Sequence, residues 1–305
     1  MLLLQGCLDA IESDYEKQVR EADEVLETYI EENSVDADMQ TTGVYIEVIK
    51  ENPEGMTVVE DHVAGILYRM ENLSDGSLIE SHTDSLNPLL FSYSFSNSYN
   101  SIHPVGLNYE ISKMKLGEIF RFYIPAYMAF GEYSHSEFFG PFTNFVLEVE
   151  LRELLTEEEI YERELEEIDH YIESQELDAE SYPNGLHIVS LEEGDGGQPG
   201  ENSLVQFHFT RKYLDGTVIE TTTEDDPVNL RMNSGEMVAG LNVGVGLLEV
   251  GDKALLVMPS KLAFGKSVQM IPQELREELA EAGEINPRTK PFSPVIYEVE
   301  VLGIN

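Results

Sequence analysis

The residues able to do chemistry are few and scattered. Seven histidines, His62, His82, His103, His135, His170, His187 and His208, form no i, i+4 pair and no spacing that gathers a metal. The serines between 92 and 101 lie among Tyr, Phe and Asn, with no His/Asp arrangement to activate one of them. Gly194-Asp195-Gly196-Gly197 reads as a turn rather than a phosphate loop. The single cysteine, Cys7, excludes an internal disulfide and a Cys-rich zinc site. No metal and no cofactor are expected. What recurs is apolar: Ile79-Glu80 and Ile219-Glu220, each after an Asp-Gly turn, and Ala-Phe-Gly at 129–131 and 263–265, each after a proline (Pro125, Pro259).

That recurrence extends to the whole chain. Leu26-Glu27-Thr28-Tyr29-Ile30-Glu31 resembles Ile168-Asp169-His170-Tyr171-Ile172-Glu173, 142 residues later. Ser74-Asp75-Gly76-Ser77-Leu78 parallels Leu214-Asp215-Gly216-Thr217-Val218, and Gly106 and Gly117 repeat as Gly240 and Gly251. Each copy opens on a helical pattern: Tyr15, Val19, Ala22, Leu26 and Tyr29 in the first, Tyr161, Leu165, Ile168 and Ile172 in the second. Thr156 with Glu159 reads as a capping box. Alternating runs follow as strands: Val44–Ile49, Phe120–Ile124 and Val146–Leu151, then Val205–Thr210, Ala254–Met258 and Ile296–Leu302. Short helices are expected over Leu107–Met114 and Leu241–Leu248. The second copy has a longer loop after Gly265, with a helix over Gln273–Ala282. The fold class is α+β with antiparallel sheets.

The chain has 305 residues, 18 Lys+Arg and 59 Asp+Glu, a formal charge of −41. That balance argues against nucleic acid or an anionic membrane surface as a partner. Residues 9–38 and 153–180 hold 25 of the acids, read as the solvated faces of the two helices. Leu4-Gln5-Gly6-Cys7 resembles a bacterial lipobox, which implies lipidation at Cys7; the alternative is an inert thiol. The expected division is a signal remnant at 1–8, a helix and first domain at 9–152, and a linking helix and second domain at 153–305.

Taken in order, these segments resemble the FKBP-type peptidyl-prolyl cis-trans isomerase family, twice. The second copy carries it in His208-Phe209-Thr210, Asp215-Gly216, Val238-Ala239-Gly240-Leu241, Leu262-Ala263-Phe264-Gly265 and Tyr297-Glu298-Val299-Glu300. The first carries it in Leu67-Tyr68, Asp75-Gly76, Pro104-Val105-Gly106-Leu107, Met128-Ala129-Phe130-Gly131 and Leu147-Glu148-Val149-Glu150. The resemblance implies two FKBP-like domains, each a curved antiparallel sheet wrapped on a short helix and preceded by an acidic amphipathic helix. It implies an apolar cup in each, which eases rotation about an X–Pro bond without a nucleophile. The first cup would comprise Tyr68, Ile79, Glu80, Leu107, Phe130 and Leu147. The second would comprise Phe209, Ile219, Glu220, Val238, Leu241, Phe264 and Tyr297. The family's usual floor tryptophan is absent, since the chain has no Trp; Leu107 and Leu241 stand there. Phe130 and Phe264 replace a tyrosine and lose its hydroxyl. The first cup ranks higher for prolyl binding, through Tyr68 and a short flap carrying Tyr133, Phe138 and Phe139. The implied function is isomerisation and folding help on prolyl segments of envelope proteins. The alternative is a degenerate binding module or chaperone docking an envelope partner. Partners would be proline-containing polypeptides, with the bacterial envelope membrane reached only through a lipid anchor.

Overall fold

The computed structural model describes residues 12–96 and 101–305. The 1–8 segment, with the lipidation expected at Cys7, lies outside the described residues. The chain divides into two compact units. The first holds residues up to 58, 66–89 and 103–152; the second holds 59–65, 90–96, 101–102 and 153–305.

The elements in chain order are α1 (Asp14–Glu32), β1 (Asp38–Met39), β2 (Tyr45–Lys50), β3 (Val63–Asn72), β4 (Leu78–His82), β5 (Leu89–Ser92), β6 (Ile102–His103), α2 (Val105–Glu110), β7 (Ile119–Ile124) and β8 (Phe145–Leu155). There follow α3 (Glu157–Ser174), β9 (Ala179–Ser181), β10 (His187–Glu192), β11 (Leu204–Tyr213), β12 (Val218–Thr221), β13 (Val228–Arg231), α4 (Ala239–Leu247), β14 (Lys253–Met258), β15 (Gln269–Met270), α5 (Gln273–Glu281) and β16 (Val295–Ile304).

One seven-stranded sheet runs β1-β2-β7-β8-β3-β4, with β5 added to β3. The other runs β9-β10-β14-β16-β11-β12, with β13 added to β11. Strand for strand the two orders correspond, so the repeat read in the residues is a repeat of topology. Apart from Val44, which precedes β2, the expected alternating runs fall within strands, because their period of two sends apolar side chains to one face. In the second unit that face, with Phe207, Leu256 and Val299, builds a core together with Val245 from α4.

The short helices sit against the sheets through glycine. A Cβ on Gly106 would stand 2.8 Å from Ile124 Cγ2, and one on Gly240 would stand 2.4 Å from Met258 Sδ. A side chain there would push the neighbour aside, so glycine lets α2 and α4 approach closely as they seat the next residue, Leu107 or Leu241, on the sheet. The helix expected over Leu107–Met114 is α2 followed by a 3-10 turn at Ile111–Lys113.

Both long helices start on capping boxes, Ser13 with Glu16 and Thr156 with Glu159. Ala22 and Leu26 are buried from α1, whereas Tyr15 is 46% exposed, its ring resting against Phe142 at 5.7 Å. In α3 the buried residues are Ile160, Glu164 and Ile168. Glu164 corrects the reading of the acids as uniformly solvated: it points inward, where Ser260 supplies hydrogen bonds that water would otherwise make.

Candidate functional site

Each cup is assembled from a strand pair, a helix and a turn. The turns match in detail. A 3-10 turn at Ala126–Met128 leads to Ala129 at φ −118°, ψ −106°, and one at Ser260–Leu262 leads to Ala263 at φ −115°, ψ −102°. Gly131 and Gly265 then take φ of +57° and +52°, a region that favours glycine. Their N–H groups bond back to the carbonyls of Ala126 and Ser260 at 2.9 and 2.8 Å. This closed turn fixes the intervening aromatic, Phe130 or Phe264.

In the first unit, Tyr68 on β3 lies opposite His82 on β4, and Met70 lies opposite Glu80. Tyr68 is 3% exposed; its hydroxyl donates to the Glu80 carboxylate, and its ring stacks on His82 at 5.9 Å. Ile79 beside Glu80 is half-buried. Leu107 from α2 and Leu147 from β8 are fully buried. The half-buried Phe130 ring is covered by Phe139, stacked at 4.7 Å, and meets the edge of Phe145 at 5.7 Å. Phe139 belongs to a small flap closed by paired backbone bonds with His135, whose ring stacks on Phe138 at 4.5 Å. Tyr133 meets Phe139 edge-on at 6.2 Å. Of the three flap aromatics singled out in the sequence, Tyr133 and Phe139 gather on Phe130, whereas Phe138 pairs with His135. Burial pushes His103, before α2, below the ordinary histidine range, so its ring is neutral near pH 7.

In the second unit, Phe209 on β11 occupies the register of Tyr68, and Arg211 that of Met70, opposite Glu220. Phe209 meets Tyr297 from β16 at 5.4 Å. Phe209, Ile219, Met237 and Val238 are partly buried against the core that contains Leu241 and Tyr297. Leu241 and Tyr297 are each 2% exposed. Burial raises the Tyr297 hydroxyl above its ordinary range, so it stays protonated, with nearby Arg211 acting in the opposite sense. A cavity of about 140 Å³ adjoins Ile219, bounded by Tyr213, Val218, Arg276, Ala280 and Arg288.

Arg211 is the site residue that sequence reasoning missed. Its side chain is 7% exposed, ion-paired to Glu220 and stacked over Phe264. A signal existed: it falls two residues after Phe209 and so shares its face on a pleated strand. Among the described residues, no group of three or more His, Cys, Asp or Glu is placed to hold a metal. Among them, too, no helix is long and apolar enough to cross a membrane.

The arrangement has walls, a carboxylate and a tyrosine hydroxyl in each cup, Tyr68 bonded to Glu80 in the first and Tyr297 bonded by Arg211 in the second. Such a site can desolvate and orient a peptide; it has no activated nucleophile.

Residues 196–302 match the family model of FKBP-type peptidyl-prolyl cis-trans isomerase, so the second unit carries an FKBP-type domain. The chain is 30% identical over 125 residues to the FKBP-type 22 kDa peptidyl-prolyl cis-trans isomerase of Escherichia coli (strain K12), a match covering 41% of this chain and 52% of that protein. It is 31% identical over 87 residues to the FKBP-type peptidyl-prolyl cis-trans isomerase FkpA of Aeromonas hydrophila, covering 28% of this chain and 32% of that protein. The crystal structure of the three FKBP domains of wheat FKBP73 aligns with 87% of this chain and 96% of its own, at 19% identity and a TM-score of 0.33. The chain spans about half the length, or less, of these curated relatives.

Proposed function

We propose that the chain is a peptidyl-prolyl cis-trans isomerase that helps other proteins fold, with the first unit's cup as its catalytic surface. The observation that carries this is the Tyr68 hydroxyl held on Glu80, on a strand pair whose cup also contains Leu107, Leu147 and Phe130. Rotation about an X–Pro bond is slow because the C–N bond has partial double-bond character, with a barrier of ~18–20 kcal/mol. Twisting breaks that conjugation and moves charge off the carbonyl oxygen. An apolar, water-poor surround therefore favours the twisted imide over the planar one. The oriented hydroxyl–carboxylate pair positions the flanking peptide. The relatives named as isomerases support the same activity.

The test is a proline-limited refolding assay, or isomerisation of a chromogenic prolyl tetrapeptide, with the full chain. Acceleration above the uncatalysed rate is expected. A folded chain that leaves the rate at background removes the enzymatic reading.

A second reading, a binding module without catalysis, is favoured by the burial of both floors, Leu107 and Leu241. It predicts saturable binding of prolyl peptide with no change in isomerisation rate. Envelope substrates and a lipid anchor at Cys7 are part of the proposal, motivated by Leu4-Gln5-Gly6-Cys7. Intact-mass spectrometry of protein from the native host checks the anchor; an unmodified thiol would refute it.

A further inference from the structure

The second unit places a cation inside its own apolar cup. Arg211 follows Phe209 by two residues on β11, so the pleat directs both side chains to the face that packs on Leu241 and Tyr297. The guanidinium carbon stands 4.4 Å from the centroid of the Phe264 ring and 5.8 Å from that of Tyr297. Nη1 donates to Tyr297 Oη at 3.1 Å, and Nη2 donates to the Glu220 carboxylate at 2.8 Å. Arg211 Nε is buried with no acceptor among the described residues. One side chain therefore engages Glu220, Phe264 and Tyr297, three of the residues that would line a prolyl site. In the first unit the matching register holds Met70, which has no charge, and the carboxylate there bonds Tyr68 instead.

We propose that Arg211 is a built-in occupant of the second cup and keeps it closed to prolyl peptides. The inference rests on reading the cups as prolyl sites. The physical case is competition. A prolyl ring entering this space must displace a stacked cation, break two hydrogen bonds and leave Glu220 without its partner. The ring is uncharged, so it replaces none of these interactions, and the closed form wins. The domain that matches the family model is thus the silent one, and prolyl peptides meet the first cup.

The test is a titration of the full chain, carrying ¹³C-labelled Phe and Tyr, with a prolyl tetrapeptide followed by NMR. In the wild type, the Phe264 and Tyr297 signals should stay in place at peptide concentrations that saturate Arg211→Gly. In Arg211→Gly those signals should move, with Kd lower by roughly tenfold or more. Should that variant fail to fold, judged by circular dichroism, Arg211→Met supplies the same comparison with the side chain that the first unit uses. Two results overturn the proposal. One is wild-type Phe264 and Tyr297 signals that move as readily as the variant's, which would make the unfilled Arg211 Nε a ligand donor. The other is a folded variant that gains no binding. Tyr68 and Phe130 signals report separately on the first cup: their silence would sink that cup's role and leave the Arg211 comparison readable.

Discussion

Glu164, buried on α3, accepts both the backbone N–H and the hydroxyl of Ser260, at 2.7 and 2.6 Å. Its counterpart on α1, 142 residues earlier, is Ala22. There the same turn is fastened differently: Asn144 accepts from the Ala126 N–H at 2.8 Å and donates to the Ala22 carbonyl at 2.6 Å. Pro294, just before β16, stands where the first unit has Asn144 just before β8, and it has no amide to offer. The carboxylate from the helix takes over the task. Each unit thus ties its leading helix to the turn that presents Phe130 or Phe264.

The Glu164 tie makes the second unit sensitive to pH. Burial pushes this carboxyl up to about 7 from 4.5, against the lowering effect of the two Ser260 hydrogen bonds. A raised folded-state value means its contribution is fully present below about 4.5 and is lost as pH rises through about 7. The expected loss is roughly 3 kcal/mol between those limits. Urea unfolding at a series of pH values should show Glu164→Gln less stable than wild type at pH ~5, by about 1 kcal/mol for the weakened pairing. The gap should close or reverse at pH ~8, where the wild type carries a buried charge. Parallel stability curves for the two proteins would contradict this.

Asn144→Ala strands two buried groups in the first unit, the Ala126 N–H and the Ala22 carbonyl. Asn144 is 3% exposed, so water reaches the site poorly. The expected cost is about 2–4 kcal/mol. Hydrogen exchange should speed up in α1 and at Ala126 well before the rest of the unit opens. Unchanged exchange in α1 would show that the helix is held by its apolar contacts alone.

Tyr68→Phe keeps the ring and removes the hydroxyl that donates to Glu80. If the first cup is catalytic, kcat/KM on a prolyl tetrapeptide should fall about five- to tenfold, the worth of one hydrogen bond of about 1–1.5 kcal/mol. The corresponding removal in the second unit, Tyr297→Phe, should leave the rate within about twofold of wild type. Equal losses in both variants would move the active surface away from the first cup.

Arg276 should be a keystone of the long loop in the second unit. It is 1% exposed; its guanidinium donates to the carbonyls of Val268 at 2.9 Å and Thr289 at 3.0 Å, with longer bonds to Pro287 and Arg288. Arg276→Met would leave these carbonyls without a donor and should cost about 3 kcal/mol or more locally. Limited proteolysis should cut between 267 and 290 faster in the variant while the β14–β16 core stays protected. Equal cleavage rates would mean that the apolar side of α5, with Leu275 and Ala280 buried, suffices to hold the loop.

Much of the architecture was legible because it depends on local rules. Period-two runs became β2, β7, β8, β11, β14 and β16, since alternation has one way to bury an apolar face. The Thr156–Glu159 box began α3 as read. Boundaries slipped where helix and turn compete, as at Ile111–Lys113. In the second unit Phe209, Ile219 and Val238 pack against the core that contains Leu241 and Tyr297.

What the residues could not disclose was how the cups are filled. The order of motifs, the doubled pattern, the lack of Trp and the two-residue spacing of Phe209 and Arg211 are all properties of the one-dimensional chain. Whether an arginine on that face reaches outward to solvent or lies over Phe264 depends on Glu220 and Tyr297, brought from elsewhere in the sequence by β12 and β16. The same is true of Glu164, one acid among many on α3, which is singled out by Ser260 arriving from 96 residues away. A charge is placed inside a protein by its partners, and partners distant in sequence are assigned by tertiary structure alone.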